Sequence, residues 1–306
     1  MNGFSRLAYV EAKLFLRETG AAIGVFGLPV ALVIGFGLIP GFGDPQKGLS
    51  GQIGTEYIAS ISVAIVLAVL GLTGVPMVIG QYRERGILRR LGVTPVRPLT
   101  LLAADLMVWA SAAILSVAMV IGVARLAYHV PAPQQAGWFI LSLLLGIGAL
   151  FALGLLVAAV TPTARSAAGL GWLLFFPNMF LAGVYFPTEE MSPVMRQIGN
   201  FTPLGAALHA VRDSWMGLTP RPQYLAIMAA YAVIAGALAA RFFRSAAWPP
   251  ILPVSLRAMR APARRSNLAL KPGQGDRGAV ALPGIAVHGS MFGRSPGWSW
   301  STVSAR

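Results

Sequence analysis

Long apolar stretches, separated by short basic or Pro- and Gly-rich segments, organise the first 245 residues. Six stand out: Ala21–Ile39, Tyr57–Ile79, Leu99–Ala124, Gly137–Val160, Ala167–Phe186 and Pro222–Phe243. Each is close to the roughly 20 residues that cross a hydrocarbon core of about 30 Å. None alternates polar and apolar positions as a strand would, and each is far longer than a barrel strand. The pattern therefore predicts helices, which satisfy their own backbone in lipid. Gly24, Gly27 and Pro29 in the first stretch, and Gly71, Gly74 and Pro76 in the second, would break a soluble helix. In a membrane bundle they are tolerated, and small residues let neighbouring helices approach closely. The expected fold is an all-α polytopic membrane protein with six transmembrane helices.

Composition agrees. Only 11% of the 306 residues are charged and 56% are apolar, against about one-quarter charged in a soluble domain. Such a chain cannot clothe a water-facing surface with ionised groups, and it is too apolar to be disordered throughout. With no cysteine, disulfide frameworks, thiolate metal sites and cysteine nucleophiles are excluded together. No short apolar core with a small-residue cleavage pattern opens the chain, so an N-terminal signal peptide is not expected.

The net charge of +14 is unevenly placed. With the N-terminus inside, the cytoplasmic segments carry Arg6, Lys13, Arg17, Arg83, Arg85, Arg89, Arg90, Arg97, Arg165, Arg241 and Arg244. The outer segments carry only Lys47, Arg125, Arg196, Arg212 and Arg221. Cytoplasmic loops are enriched in Lys and Arg, so both termini are expected in the cytoplasm. Residues 246–306 are a different material, rich in Pro and Gly, with several basic residues against the single acid Asp276. They read as a disordered basic tail that leans on anionic lipid. Its charges form no stripe, and no nucleic-acid role is assigned. Three parts result: 1–20, 21–245 and 246–306.

Ahead of the first span, residues 3–18 form an amphipathic candidate. Arg6, Lys13 and Arg17 fall on one edge and Phe4, Leu7, Ala8, Leu14 and Phe15 on the opposite arc, as for a helix lying in the cytoplasmic interface. Glu11 and Glu18 also fall on the apolar arc. Between the second and third spans, Ile87, Leu88 and Leu91 make a short apolar ridge flanked by Arg83, Glu84, Arg85, Arg89 and Arg90. Pro95 and Pro98 end any helix there. A short charged helix with an apolar ridge is shaped to seat in a groove of another protein; the simpler reading is a positive-inside anchor. Between the fifth and sixth spans, Glu189–Ile198 and Leu204–Gly217 are each expected to form a short helix, with a break at Asn200–Pro203. Glu189 and Glu190 would place negative charge at the outer mouth.

Asp105 lies about two turns into the third span, and an intramembrane acid is a candidate polar site by default. Arg97 or local water could satisfy it. Glu56 marks the outer edge of the second span. His129, His209 and His288 are dispersed and make no ligand set. No G-x-x-x-x-G-K-[ST] loop is present, so the chain has no ATP site of this kind; nor is there an H-E-x-x-H or a G-x-S-x-G motif.

The run Arg83-Glu84-Arg85-Gly86 with Leu88, Arg89, Leu91 and Thr94-Pro95 resembles the cytoplasmic-loop motif of ABC type-2 exporter permeases. A second match, Gly183-Val-Tyr-Phe186-Pro187, followed by Pro193 and Asn200-Phe-Thr-Pro203-Leu204, is similar to that family's fifth-span exit. The interfacial helix before the first span is also a family feature. The resemblance covers about residues 3–245, with drug-export permeases of the daunorubicin-resistance type the nearest in overall pattern; the long tail departs from it. It implies that residues 83–95 form a coupling helix docking on a separate ATP-binding cassette subunit. It also implies short outer re-entrant helices after the fifth span. ATP and Mg would then sit on the partner subunit and no cofactor on this chain. The expected assembly is a homodimer or paired permease in contact with membrane lipids, in a cell membrane of the bacterial inner-membrane type. Export of a hydrophobic drug-like or lipid-like substrate follows from the same resemblance, with antibiotic resistance as its outcome. A partner-independent secondary transporter is the alternative reading, and an intramembrane lipid-modifying enzyme a weaker one. The first would need inverted-repeat symmetry and the second a clustered polar constellation.

Overall fold

Proline cannot donate a backbone hydrogen bond, and inside an α-helix its ring presses on the carbonyl one turn back. The first two apolar stretches, which carry Pro29 and Pro76, meet this in the same way. The computed structural model describes residues 23–39, 54–86, 98–186, 188 and 191–245. In it, helix α1 (Ile23–Gly37) opens with a π-helical turn at Ile23–Gly27, just before Pro29. Helix α2 (Gly54–Glu84) widens to a π-helical turn at Val69–Gly74, just before Pro76. The wider turn absorbs the mismatch and lets α-helical geometry resume beyond the proline.

The remaining elements are α3 (Pro98–Tyr128), α4 (Ala136–Val160), α5 (Ala164–Leu181), α6 (Pro193–Phe201), α7 (Pro203–Trp215) and α8 (Pro222–Ser245). The described residues are all-helical, with no strand among them. Four helices, α2, α3, α4 and α8, are long and apolar enough to cross a membrane. Helix α1, also apolar, is shorter, and at 1.5 Å per residue its 15 residues reach about 22 Å.

Contacts fix the run of the chain between two ends of the bundle. At one, here called the near end, Arg83 and Glu84 of α2 meet Thr161 and Ala164 at the α4–α5 connection, with Phe243 of α8 beside them. At the other, the far end, Tyr57 of α2 meets Gly183 beyond α5, and Trp215 of α7 meets Pro131 between α3 and α4. The α4–α8 pair is the most extensively packed, and α7 wedges against α4, α8 and α2.

Helix α2 is the axis of the bundle. Nearly every residue from Gly54 to Ala68 is buried, and α4, α5 and α3 all close on its π-helical turn. A side chain at Gly154 of α4 would strike the Gly71 carbonyl oxygen, and one at Gly171 of α5 the Leu72 carbonyl oxygen. A Cβ on Gly74 would stand 2.7 Å from the Trp109 ring of α3. With no hydrophobic force between helices in lipid, this close backbone approach is what association rests on. The small residues that looked like helix breakers are its contact points.

Several boundaries differ from the expected ones, each for a local reason. The second span runs past Ile79 to Glu84, since nothing stops it before Gly86, whose φ of 65° is left-handed. The fifth starts three residues earlier than expected, at Ala164, because Thr163 caps it: Thr163 Oγ1 accepts from Ser166 N, and Thr163 N donates back to Ser166 Oγ. It stops at Leu181 rather than Phe186, because Gly183 turns the chain with a φ of 84°. The first short helix after it begins at Pro193 rather than Glu189, with Ser192 as its cap and Pro193 in the first turn. The break before α7 is Thr202 alone, whose Oγ1 accepts from Gly205 N at 3.0 Å. The N-terminal amphipathic segment 3–18 and the tail 246–306 lie outside the described residues.

Candidate functional site

The near end gathers the described part of the basic loop. Helix α2 ends as Arg83-Glu84, Arg85 N donates to Gln81 O at 2.9 Å, and Gly86 N donates to Arg83 O at 3.1 Å. The left-handed Gly86 then breaks the helix and redirects the chain into the loop. Arg83 reaches across the end of the bundle, its Nη1 donating to Thr161 O at 2.5 Å. The same guanidinium lies 5.9 Å from the Phe243 ring centroid, within cation–π range. Glu84 Oε1 accepts from Ala164 N at 2.9 Å. That N–H is one of the four an α-helix leaves unsatisfied at its start, where the dipole also favours a carboxylate. Arg85 is exposed. Leu88, Arg89, Arg90, Leu91 and Pro95 lie outside the described residues, as does Arg97.

Asp105 sits two turns into α3 and is 3% exposed. Its Oδ1 accepts from Trp109 Nε1 at 3.2 Å, one turn on, and from Tyr82 Oη of α2 at 3.4 Å. Among the described residues, two protein donors thus reach this carboxylate. The tyrosine sits between Gln81 and Arg83, so the polar pair ties α3 to the last turn of α2.

The far end is a second polar cluster. Tyr57 Oη donates to Gly183 O at 3.1 Å, and the Arg212 guanidinium lies 4.8 Å over the Tyr57 ring. Arg212 is buried, a costly placement that cation–π contact with a desolvated ring offsets in part. Trp215 Nε1 donates to Pro131 O at 2.9 Å, and its ring meets Phe139 edge-on at 5.7 Å. Phe186 is exposed and edge-on to Phe180 at 6.1 Å. Pro203 is buried in the first turn of α7. Pro187, Glu189 and Glu190 lie outside the described residues. At the base of α7, Asp213 is half-buried. Burial pushes its carboxyl above the usual aspartate value, against the lowering pull of the Arg221 backbone and the Arg221 and Arg212 charges.

Sequence reasoning missed Arg212, Tyr57, Tyr82 and Thr163. A signal existed for only one of them, the Thr163-x-x-Ser166 spacing, which is a capping pattern. Partnerships such as Arg212 over Tyr57 join residues far apart in sequence and leave no local trace. Among the described residues no group of His, Asp and Glu could hold a metal ion.

Together these features define a multi-pass helical membrane protein with polar ties at both ends and an apolar middle. The ABC-2 type transporter family matches residues 3–216, well over half of the chain, and the chain belongs to that family. It is a transporter's membrane component. No curated protein matches the chain.

Proposed function

We propose that the chain is the permease subunit of an ATP-driven ABC exporter. In this reading α1, α2, α3, α4, α5 and α8 are six spans, with both termini and the near end in the cytoplasm. Residues 83–95 form the coupling helix that docks on a separate ATP-binding cassette subunit, where ATP and Mg are held. Closure of two such subunits pushes on this segment and shifts the spans between inward and outward access. That needs two states biased differently by ATP and substrate. The helices α6 and α7 cap the outer mouth. A second permease copy packs against the face of α5 that leaves Trp172, Leu173 and Phe176 exposed. The cargo is hydrophobic, drug-like or lipid-like, as suits an apolar path.

The observation that supports this most is the near end itself, in a chain of the ABC-2 type family. The basic loop leaves α2 from a point tied to both α4–α5 and α8, so a push on the loop has somewhere to go. The test is Arg85→Glu combined with Leu88→Asp. Membrane insertion is expected to be intact, while co-purification of the ATP-binding subunit and export are lost. Normal export at normal membrane abundance would refute the docking role.

A further inference from the structure

We propose that the Val75–Glu84 half of α2 and the whole of α5 form one lever, pivoting at the π-helical turn Val69–Gly74, with Glu84 as its positioning residue. The inference rests on residues 83–95 being the segment that receives the push.

Three joints hold the lever together, two at the first turn of α5 and one at the α4–α5 connection that leads into it. Glu84 Oε1 accepts from Ala164 N at 2.9 Å, and Arg83 Nη1 donates to Thr161 O at 2.5 Å. Gly80 lies so close that a Cβ there would stand 2.7 Å from Ala164 Cα. A hydrogen bond from a helix N-terminus to a carboxylate is charge-assisted, shorter and stronger than a neutral one. It also acts along the helix axis, so pulling Glu84 pulls α5 rather than bending it. A fourth contact lies at the other end of the half-helix, where Gly171 of α5 packs on the Leu72 carbonyl inside the π-helical turn. The two helices are thus joined at the pivot and at the tip.

The π-helical turn supplies the hinge. A mid-helix departure from α geometry is where a helix can change direction without losing a full set of hydrogen bonds. Pro76 follows it and removes one more backbone bond. Beyond the turn, Gly54–Ala68 is encased on nearly all sides and serves as the fixed arm. A displacement entering at Gly86 therefore swings Val75–Glu84 about Val69–Gly74 and carries α5 with it.

The chain has no cysteine, so paired spin labels report the motion directly. Met77 on α2 and Gly169 on α5 are both exposed, with open space around Gly169. In lipid nanodiscs the Met77→Cys/Gly169→Cys distance distribution is expected to be narrow in the parent chain. It should stay narrow in Glu84→Gln, whose amide oxygen still accepts from Ala164 N, and at least double in width in Glu84→Ala. An unchanged width in Glu84→Ala overturns the lever. With the ATP-binding subunit bound and nucleotide trapped with vanadate, labels at Met77 and Gly169 should move together relative to one at Ile140 of α4. In Glu84→Ala only the Met77 label should move. Equal movement of Gly169 in Glu84→Ala, or a changed Met77–Gly169 distance in the parent chain, also overturns it. Failure of any ATP-binding subunit to bind the parent chain would instead sink the docking reading, and the width comparison alone would decide the lever.

Discussion

A side chain on Gly154 would run into the carbonyl oxygen of Gly71, so α4 and α2 meet there backbone to backbone, at the π-helical turn. Overpacking a close contact costs about 1–3 kcal/mol, and here the obstacle is backbone that cannot rotate aside. Gly154→Ala is therefore expected to lower the apparent melting temperature of the detergent-purified protein, and Gly154→Leu to abolish its recovery from membranes. Gly148 on the same helix is the control. A Cβ there would find Ala232 Cβ at 3.7 Å, an ordinary contact, so Gly148→Ala should melt at or above the parent temperature.

The capping box at the start of α5 makes a second prediction. Thr163→Ala removes the acceptor for Ser166 N and should cost about 1 kcal/mol, the usual loss for an N-cap. Thr163→Ser keeps the oxygen and should be nearly neutral. The comparison is read in thermal melts followed by intrinsic fluorescence.

Asp105 accepts from both Tyr82 and Trp109, which sets up a graded test. Asp105→Ala strands two donors in a region with little water. A buried group left unsatisfied costs about 1–3 kcal/mol, so Asp105→Ala should melt clearly below the parent. Asp105→Asn retains a carbonyl acceptor and should fall between them. Equal melting of all three would show that the carboxylate holds nothing together.

Asp213 gives a pH dependence with a definite sign. Its carboxyl is raised above the ordinary value by burial, so the folded state holds the proton more tightly than the unfolded one. The resulting stabilisation is complete below the unfolded-state value and is lost as pH rises through the folded-state value. Asp213→Asn, which keeps an acceptor for the Arg221 backbone, is therefore expected to melt a few degrees above the parent at pH 7.5. That advantage should shrink towards pH 4. A melting curve for each protein across that range decides it.

How far the sequence carried can be judged element by element. The α4 reading, Gly137–Val160, misses the observed start by one residue, because an uninterrupted apolar run bounded by polar turns has one solution in lipid. The second span was placed correctly but shortened, since hydropathy falls off at Gln81 while the helix continues on contacts to Thr161 and Ala164. Helices α6 and α7 were foreseen as a broken pair; the offset at Pro193 came from reading Glu189 as a first-turn residue and overlooking the Ser192 cap. Of the site, Arg83 and Glu84 stand out in the sequence as charges flanking a docking ridge. Their grip on the α4–α5 connection was not legible, because it joins positions about eighty residues apart. Likewise, Gly71 and Gly154 each look like flaws in an apolar run, and only their meeting gives them a role.

The most direct measurement is co-expression of the tagged chain with a candidate ATP-binding cassette subunit, followed by purification from membranes and assay of ATP hydrolysis. The account predicts a stable complex whose hydrolysis is lost, together with the partner, when Arg85→Glu and Leu88→Asp are introduced. Recovery of the chain without that subunit, or a complex indifferent to the double substitution, would contradict it.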